Sequence, residues 1–218
     1  MAKGTTFGKY HSNRDLKLIQ QKVEVSPAQP KTRYVDIPGA DGSKDMTEAL
    51  GVGVKFNDRT IRWDFALYPG DSWYARQQTV SGLLSGGSCH IVLDDDPNYY
   101  YDGRLIVETY ESDRLLRRIT VKAICRPYKL HKVETVRKLE NIPAEATTVV
   151  LQNDRMPVVP TITVEQSTTI AFGDFSATVQ AGQHKLLGIR LTEGDNTLTV
   201  TPAVANGTCT IRYREGAL

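Results

Sequence analysis

The sequence predicts a mainly β protein of two all-β domains, the first of which carries one α-helix. Three observations predict it. Apolar and polar residues alternate through most of the chain, with β-branched residues over-represented in the runs. From about residue 147 onward, turn signals recur every eight to twelve residues, the spacing of a β-sandwich. Only 71–87 carries apolar residues at helical spacing. The boundaries follow: an N-terminal domain over 1–130, an arm or linker over 131–146, and a C-terminal β-sandwich over 147–218.

In chain order, "KTRYVDIPG" (31–39) predicts a strand ended by Pro38-Gly39. A long glycine-punctuated loop follows over 37–53, with Asp41-Gly42 as a turn. "VKFNDRTIRWDFALYPGD" (54–71) predicts a hairpin turning at Asn57-Asp58. Its second strand sets Ile61, Trp63, Phe65 and Leu67 on one face, with Arg62 and Asp64 on the other. "DSWYARQQTVSGLLSGG" (71–87) predicts the helix, capped by Asp71 or Ser72 and ended by Gly86-Gly87. Trp73, Gln77, Val80 and Leu84 share a face that Leu83 widens, as suits a helix laid across a sheet. Residues 88–95, 99–112 and 114–128 then predict an antiparallel meander.

Residues 129–146 are charged and closed by Pro143. They predict an extended strand or arm, with a reach on the order of 60 Å, leading into a linker. Beyond it, "TTVVLQN", "VVPTITVEQ", "TTIAF", "FSATVQA", "KLLGIRL", "NTLTVTP" and "TCTIRYRE" predict the strands of the sandwich. Gly173-Asp174, Ala181-Gly182, Glu193 to Asn196 and Asn206-Gly207 supply its turns.

Bulk properties narrow the function. The chain has 218 residues, 40% hydrophobic and 24% charged, the composition of a globular protein. No apolar run is long enough for a membrane span, and the opening "MAKGTTFGKY" has no apolar signal core. Net charge is +2. Up to Pro127 there are 18 Lys/Arg against 16 Asp/Glu, leaving 9 against 9 of the totals of 27 and 25. Neither part has the basic footprint of nucleic-acid binding. Cys89, Cys125 and Cys209 are far apart and odd in number, so they read as buried free thiols rather than zinc ligands or disulfides, in keeping with synthesis in a reducing cytoplasm.

The run "IVLDDDPNYYYDGRL" (91–105) is the densest chemical feature. Asp94, Asp96 and Asn98 match positions 1, 3 and 5 of a calcium loop. Tyr99 stands where glycine must make the turn, and Leu105 where a bidentate glutamate must close the shell. Nor do Asp94, Asp95 and Asp96 make a catalytic pair. They are neighbours in a turn, with no apolar setting to keep one protonated. A hairpin tip accounts for more: "HIVL" runs in, Asp-Pro-Asn turns, and "YYYDGRLIV" runs out. Tyr99 and Tyr101 then share one face and Tyr100 takes the other. At least one side of this tyrosine row is expected to be exposed beside carboxylates and Arg104, the composition of an interface.

No G-x-S-x-G, H-E-x-x-H or P-loop occurs, and "GVGVKF" (51–56) lacks the third glycine of a dinucleotide fingerprint. His90 and His131 read as strand residues, and "NGT" (206–208) as an Asn-Gly hairpin turn rather than a glycosylation site. No catalytic residue, metal site or cofactor is expected.

Several stretches together resemble a known family, the distal tail proteins of phages with long, non-contractile tails and of related prophages. They are "TFGKYHS" (6–12), "VDIPGADGSKDMTEALG" (35–51), "IVLDDDPNYYYDGR" (91–104) followed by "ICRPY" (124–128), "NDRMPVVPTITV" (153–164) and "IRYREGAL" (211–218). The loop after Pro38 and the Cys125-Arg126 pair depart modestly from the family pattern. The resemblance implies a structural virion protein and no enzyme. Its N-terminal domain would be β-sandwich-like, with the helix and an extended hairpin, and would close with other copies into a hexameric ring. Its C-terminal domain would be a galectin-like β-sandwich projecting outward. The partners implied are the chain itself, the tail tube protein and a tail-tip adhesion or lysin protein, around a channel that conducts DNA without specific binding. The place implied is the tail tip of a virion, made in the bacterial cytoplasm and encoded by a phage or prophage. Asp36–Asp64 and Asp94–Arg104 are the regions expected to make ring contacts, with Asp94, Asp95, Asp96, Tyr99, Tyr101 and Arg104 as interface residues.

A carbohydrate-binding module that recognises the host cell wall is the alternative. It requires an exposed aromatic platform, and 147–218 has no Trp, only Phe172, Phe175 and Tyr213. The chain also has no insertion long enough to hold a separate sugar-binding module.

Overall fold

The computed structural model describes residues 3–49, 51, 53–67, 72–112 and 117–218, and it is mainly β with one helix. The chain forms two compact units that divide between Lys129 and Leu130.

In the first unit, β1 (Thr5–Phe7), β2 (Tyr10–His11), β3 (Leu18–Val25), β4 (Tyr34–Asp36), β5 (Ser43–Asp45) and β6 (Arg59–Leu67) precede helix α1 (Trp73–Leu84). Strands β7 (Ser88–Leu93), β8 (Tyr99–Ser112) and β9 (Arg117–Cys125) follow. Seven of them make one antiparallel sheet in the order β2-β1-β7-β8-β9-β6-β3. The sheet is curled. In a flat one, β1 and β6, four places apart, would be about 19 Å from each other. Instead, Phe7 of β1 meets Trp63 of β6 edge-on, with ring centroids 5.1 Å apart. Ile61, Trp63 and Phe65 project into the enclosed core with Leu18, Leu105, Ile119 and Val121, while Arg62 faces out, as the alternation predicts.

Helix α1 lies over β8, burying Trp73, Val80 and Leu84, and Trp73 meets Tyr110 edge-on at 6.1 Å. The expected face is correct except for Leu83, which is 40% exposed. Ser72 is the N-cap, while Asp71 lies outside the described residues. Gly86 ends the helix with φ +78°, a conformation that favours glycine. Its N–H donates to the Leu105 carbonyl, and Leu105 returns a hydrogen bond to Gly87, splicing the helix end to β8.

Two expectations for this unit need correction. Residues 54–58 do not pair with β6. They run beside 29–31, with Lys31 N–H donating to Lys55 O and Asn57 N–H to Gln29 O, because both edges of β6 are taken by β3 and β9. The loop over 37–53 contains a strand, since Ser43–Asp45 pairs with Tyr34–Asp36. Strands β1, β2 and β3 are additions to the expected set, since their short or polar runs carry little alternation.

In the second unit, β10 (Lys129–His131), at the division itself, leads to β11 (Thr135–Ile142), β12 (Thr147–Asn153), β13 (Thr161–Val164), β14 (Thr168–Phe172), β15 (Phe175–Val179), β16 (Gly182–His184), β17 (Gly194–Pro202), β18 (Gly207–Tyr213) and β19 (Gly216–Ala217). Two four-stranded sheets, β11-β18-β13-β16 and β12-β17-β14-β15, form a β-sandwich. Leu198 and Val200 of β17 and Cys209 and Ile211 of β18 fill it, with Leu151, Ile162 and Ile170.

Of the two readings of 131–146, the extended strand holds and the free arm does not: β11 pairs with β18 from Thr135↔Tyr213 to Ile142↔Gly207. Arg137, Lys138 and Glu140 are all exposed and only Ile142 is fully buried, which disguises the strand. "KLLGIRL" (185–191) is not a strand, although Ile189 and Leu191 still plug the core. Asn206-Gly207 is a turn with Asn206 at φ +65°, but it crosses between the sheets instead of closing a hairpin. Gly173-Asp174 is a true two-residue hairpin turn between β14 and β15.

Candidate functional site: the hairpin tip and an exposed arm

The β7–β8 tip is folded by its own backbone, with Asp96 N–H donating to Leu93 O (3.0 Å) and Tyr99 N–H to Asp96 O (3.3 Å). Its three carboxylates then diverge. Asp94 accepts the Gly4 N–H (2.8 Å) and faces His11 Nε2 at 3.1 Å. His11 Nδ1 receives the backbone N–H groups of Asn13 and Arg14, so the ring proton sits on Nε2 and is donated to Asp94. A side chain at Gly4 would strike this ring, its Cβ falling 2.6 Å from His11 Cε1. Asp95 pairs with Lys3, and the exposed ammonium's pKa is raised by that hydrogen bond. Asp96 accepts from Lys129 Nζ at 2.8 Å.

The tyrosines divide in the same way. Lys129 Nζ lies over the Tyr99 ring at 4.4 Å, and Tyr100 packs on His90 at 4.3 Å. Tyr101 is buried, with the Arg59 guanidinium 5.5 Å from its ring centroid. None of the three is fully exposed, contrary to the expectation of an open tyrosine face. Partners distant in the same sequence, Lys129 over Tyr99 and Arg59 over Tyr101, cover these rings, and short-range sequence could not reveal them. Arg104 is exposed and donates to the Gly86 carbonyl at 2.6 Å, bracing the end of α1.

The hydrogen bond to Asp96 raises the Lys129 pKa above 10.5. A raised lysine contributes stability fully below its unfolded pKa and loses it as pH rises through the folded value. Lys129→Met is therefore expected to lower the melting temperature at pH 8, with the gap from wild type closing above pH ~10.5. Melting curves across that interval check it, and a gap independent of pH would refute the assignment.

Among the described residues, no three His, Cys, Asp or Glu side chains come together to hold a metal. All three cysteines are free, Cys125 and Cys209 buried and Cys89 half-buried. Burial pushes the Cys125 thiol up to about 12 and Cys209 to about 11, and raises Cys89 as well, which suppresses the thiolate. Native protein at pH 8 should thus leave Cys125 and Cys209 unmodified by iodoacetamide until it unfolds, as peptide mass mapping would record. A cavity of about 180 Å³ lined by Phe7, Tyr10, Leu84 and Cys89 is smaller than typical ligand sites.

The second surface overlaps Asp36–Asp64, one of the two regions expected to make ring contacts, but as a paired two-stranded arm it was not expected. Every residue from 31 to 45 is exposed, and β4 and β5 stand as an isolated two-stranded arm. Tyr34, at 60% exposure, Val35 and Ile37 present apolar groups to water. Two strands without a covered face are marginal in water on their own. The available signal was Tyr-Val-Asp-Ile before a Pro-Gly and Asp-Gly pair, apolar residues with no second run to bury them. In the second unit, the aromatic residues of 147–218 build no platform. Tyr213 is buried and donates to the Gln152 carbonyl, and Phe172 and Phe175 pack against the core.

No protein-family model matches this sequence, and no curated protein sequence matches it. Among solved structures, the chain is similar to the crystal structure of the Dit protein (gp 19.1) of phage SPP1, described as a paradigm of the hub adsorption apparatus of phages that infect Gram-positive bacteria. The two are 15% identical with a TM-score of 0.69, and the match covers 98% of this chain and 99% of that one. Over nearly its whole length, this chain has the fold of the SPP1 Dit protein.

Proposed function

We propose that this chain is a hub protein of a phage tail, a structural part of the adsorption apparatus and not an enzyme. The observation that carries this is the end-to-end likeness to SPP1 Dit, both units included. Six copies close through the N-terminal unit into a ring, and the C-terminal sandwich projects from it. One face of the ring meets the tail tube and the other a tail-tip adhesion or lysin protein, at the end of a virion assembled in the bacterial cytoplasm. Within the ring, the exposed arm and the exposed members of the tip, Asp94, Asp95 and Arg104, make contacts between copies. Asp96, Tyr99 and Tyr101 support them from behind by fixing the shape of the tip.

Light scattering and negative-stain imaging of one fraction test the ring, which should appear as about six copies around a central hole, in keeping with closed cyclic symmetry. An open filament or a two-fold dimer would sink it. Immunogold labelling of purified particles tests the hub independently. Label on the capsid, or none on the tail tip, would overturn it.

A further inference from the structure

Adjacent strands place two thiols and a guanidinium in one row on the inner face of the first unit's sheet. Cys89 of β7 lies opposite Gly103 of β8, Gly103 opposite Cys125 of β9, and Cys125 opposite Arg59 of β6. The two thiols therefore flank a residue that has no side chain. A Cβ at Gly103 would fall 2.5 Å from Cys125 Sγ, so this sulfur leans into the space between the cysteines. In a flat sheet, two strand spacings would set their backbones about 9.6 Å apart, and the curl toward this face brings the side chains closer than that. A disulfide needs Cα atoms within about 7 Å, so the pair is not placed to form one. An ion held between two thiolates, each at about 2.3 Å, spans the remainder.

The charge beside the row selects the kind of ion. Arg59 is only 5% exposed, and its Nε is buried without a hydrogen-bond partner. Its guanidinium lies against the Tyr101 ring and is near enough to act on the Cys125 thiol. Asp58 and Asp102 also act on that thiol, but Asp58 is exposed and Asp102 is turned to Arg126 at 3.5 Å. A buried cation without a partner is costly, and a tyrosine face only partly offsets it. Two thiolates around a monovalent ion carry one net negative charge, which balances Arg59, whereas around a divalent ion they carry none. Thiolate sulfur favours soft ions, Cu(I) among them. We propose that Cys89 and Cys125 bind one soft monovalent cation of the Cu(I) class across Gly103, with Arg59 supplying the opposite charge. On binding, both S–H bonds break, two metal–sulfur bonds form and two protons leave to solvent, with no change of oxidation state. Half-buried Cys89 lines the cavity of about 180 Å³ between β1 and the end of α1, which gives the ion its way in. The site is independent of the hub reading.

The test sets the full chain against the coloured Cu(I)–bicinchoninate complex under anaerobic conditions and follows melting in parallel. Wild type should withdraw one equivalent of Cu(I), and its melting temperature should rise with the ion, because only the folded chain brings the two thiols together. Cys89→Ser and Cys125→Ala should each lose the competition. Arg59→Met should still bind, but about 10–100-fold more weakly, the usual cost of removing a group that supports the ligands without touching the metal. Cys209→Ala, which removes the lone thiol of the second unit, should match wild type. Failure of wild type to withdraw Cu(I) overturns the site. So does equal withdrawal by Cys89→Ser, a change at a half-buried position that keeps the test from resting on the buried Cys125 alone. A melting temperature that falls with the ion marks capture by thiols of the unfolded chain and also overturns it. Binding by Arg59→Met as tight as wild type overturns the charge balance and with it the choice of a monovalent ion.

Discussion

Trp63→Ala is expected to destabilise the first unit by about 3–5 kcal/mol, the range for emptying a fully buried indole site. Trp63 has no solvent exposure and sits where the curled sheet meets itself. Its ring takes the edge of Phe7 from β1, and its Nε1 donates to Thr5 Oγ1 at 3.0 Å. The Thr5 hydroxyl donates in turn to Gln20 Oε1 of β3 at 2.7 Å. Alanine therefore opens a cavity and breaks the bond that joins β1 to β6. Against a typical domain stability of about 5–15 kcal/mol, the loss is a large fraction. Urea unfolding should resolve an early transition of the first unit while the sandwich unfolds as in wild type. A loss under about 1 kcal/mol would mean that the sheet does not close on this residue.

Excising the arm should have the opposite profile. With Tyr34–Asp45 replaced by a short Gly-Ser turn, the melting temperature of the isolated chain should change little, because no side chain there is buried. Association should fall by on the order of 100-fold. Covering Tyr34, Val35 and Ile37 is worth roughly 2–4 kcal/mol after allowing for their partial exposure, and each 1.4 kcal/mol is a factor of ten. Sedimentation over a concentration series reads this directly. Retained association would move the contact to the Asp95 and Arg104 side of the unit.

Legibility followed burial. The β6 face, the α1 face and the β7-β8-β9 meander were readable because each buries one side, and the period of the buried residues is the period of the element. Strand β3, with Gln20, Gln21 and Lys22 in the middle, buries too little to show that period. Strand β5 buries nothing and had no apolar signal at all. "KLLGIRL" failed in the other direction, since apolar residues can fill a core from irregular backbone. The hairpin tip was visible in its Asp-Pro-Asn turn, but the partners of its carboxylates were not. Lys3 and Gly4 lie some ninety residues before Asp94 and Asp95, and Lys129 lies thirty-three after Asp96. Arg59 looked like any strand residue, and only the packed neighbourhood distinguishes it.

The bond from Gly4 to Asp94, across ninety positions, also sets an order of events during synthesis. At about 5–20 residues per second, roughly 5–20 s separate the emergence of Thr5–Phe7 from that of the strand it pairs with. Through that interval, Phe7 has no sheet to enter and the edge it will occupy does not exist. Closure of the first unit must wait for the tip, so a ribosome stalled before residue 94 holds a nascent chain with an open, adhesive strand. The wait is built into the topology, in the distance along the chain between the strands that pair, rather than into any weak sequence.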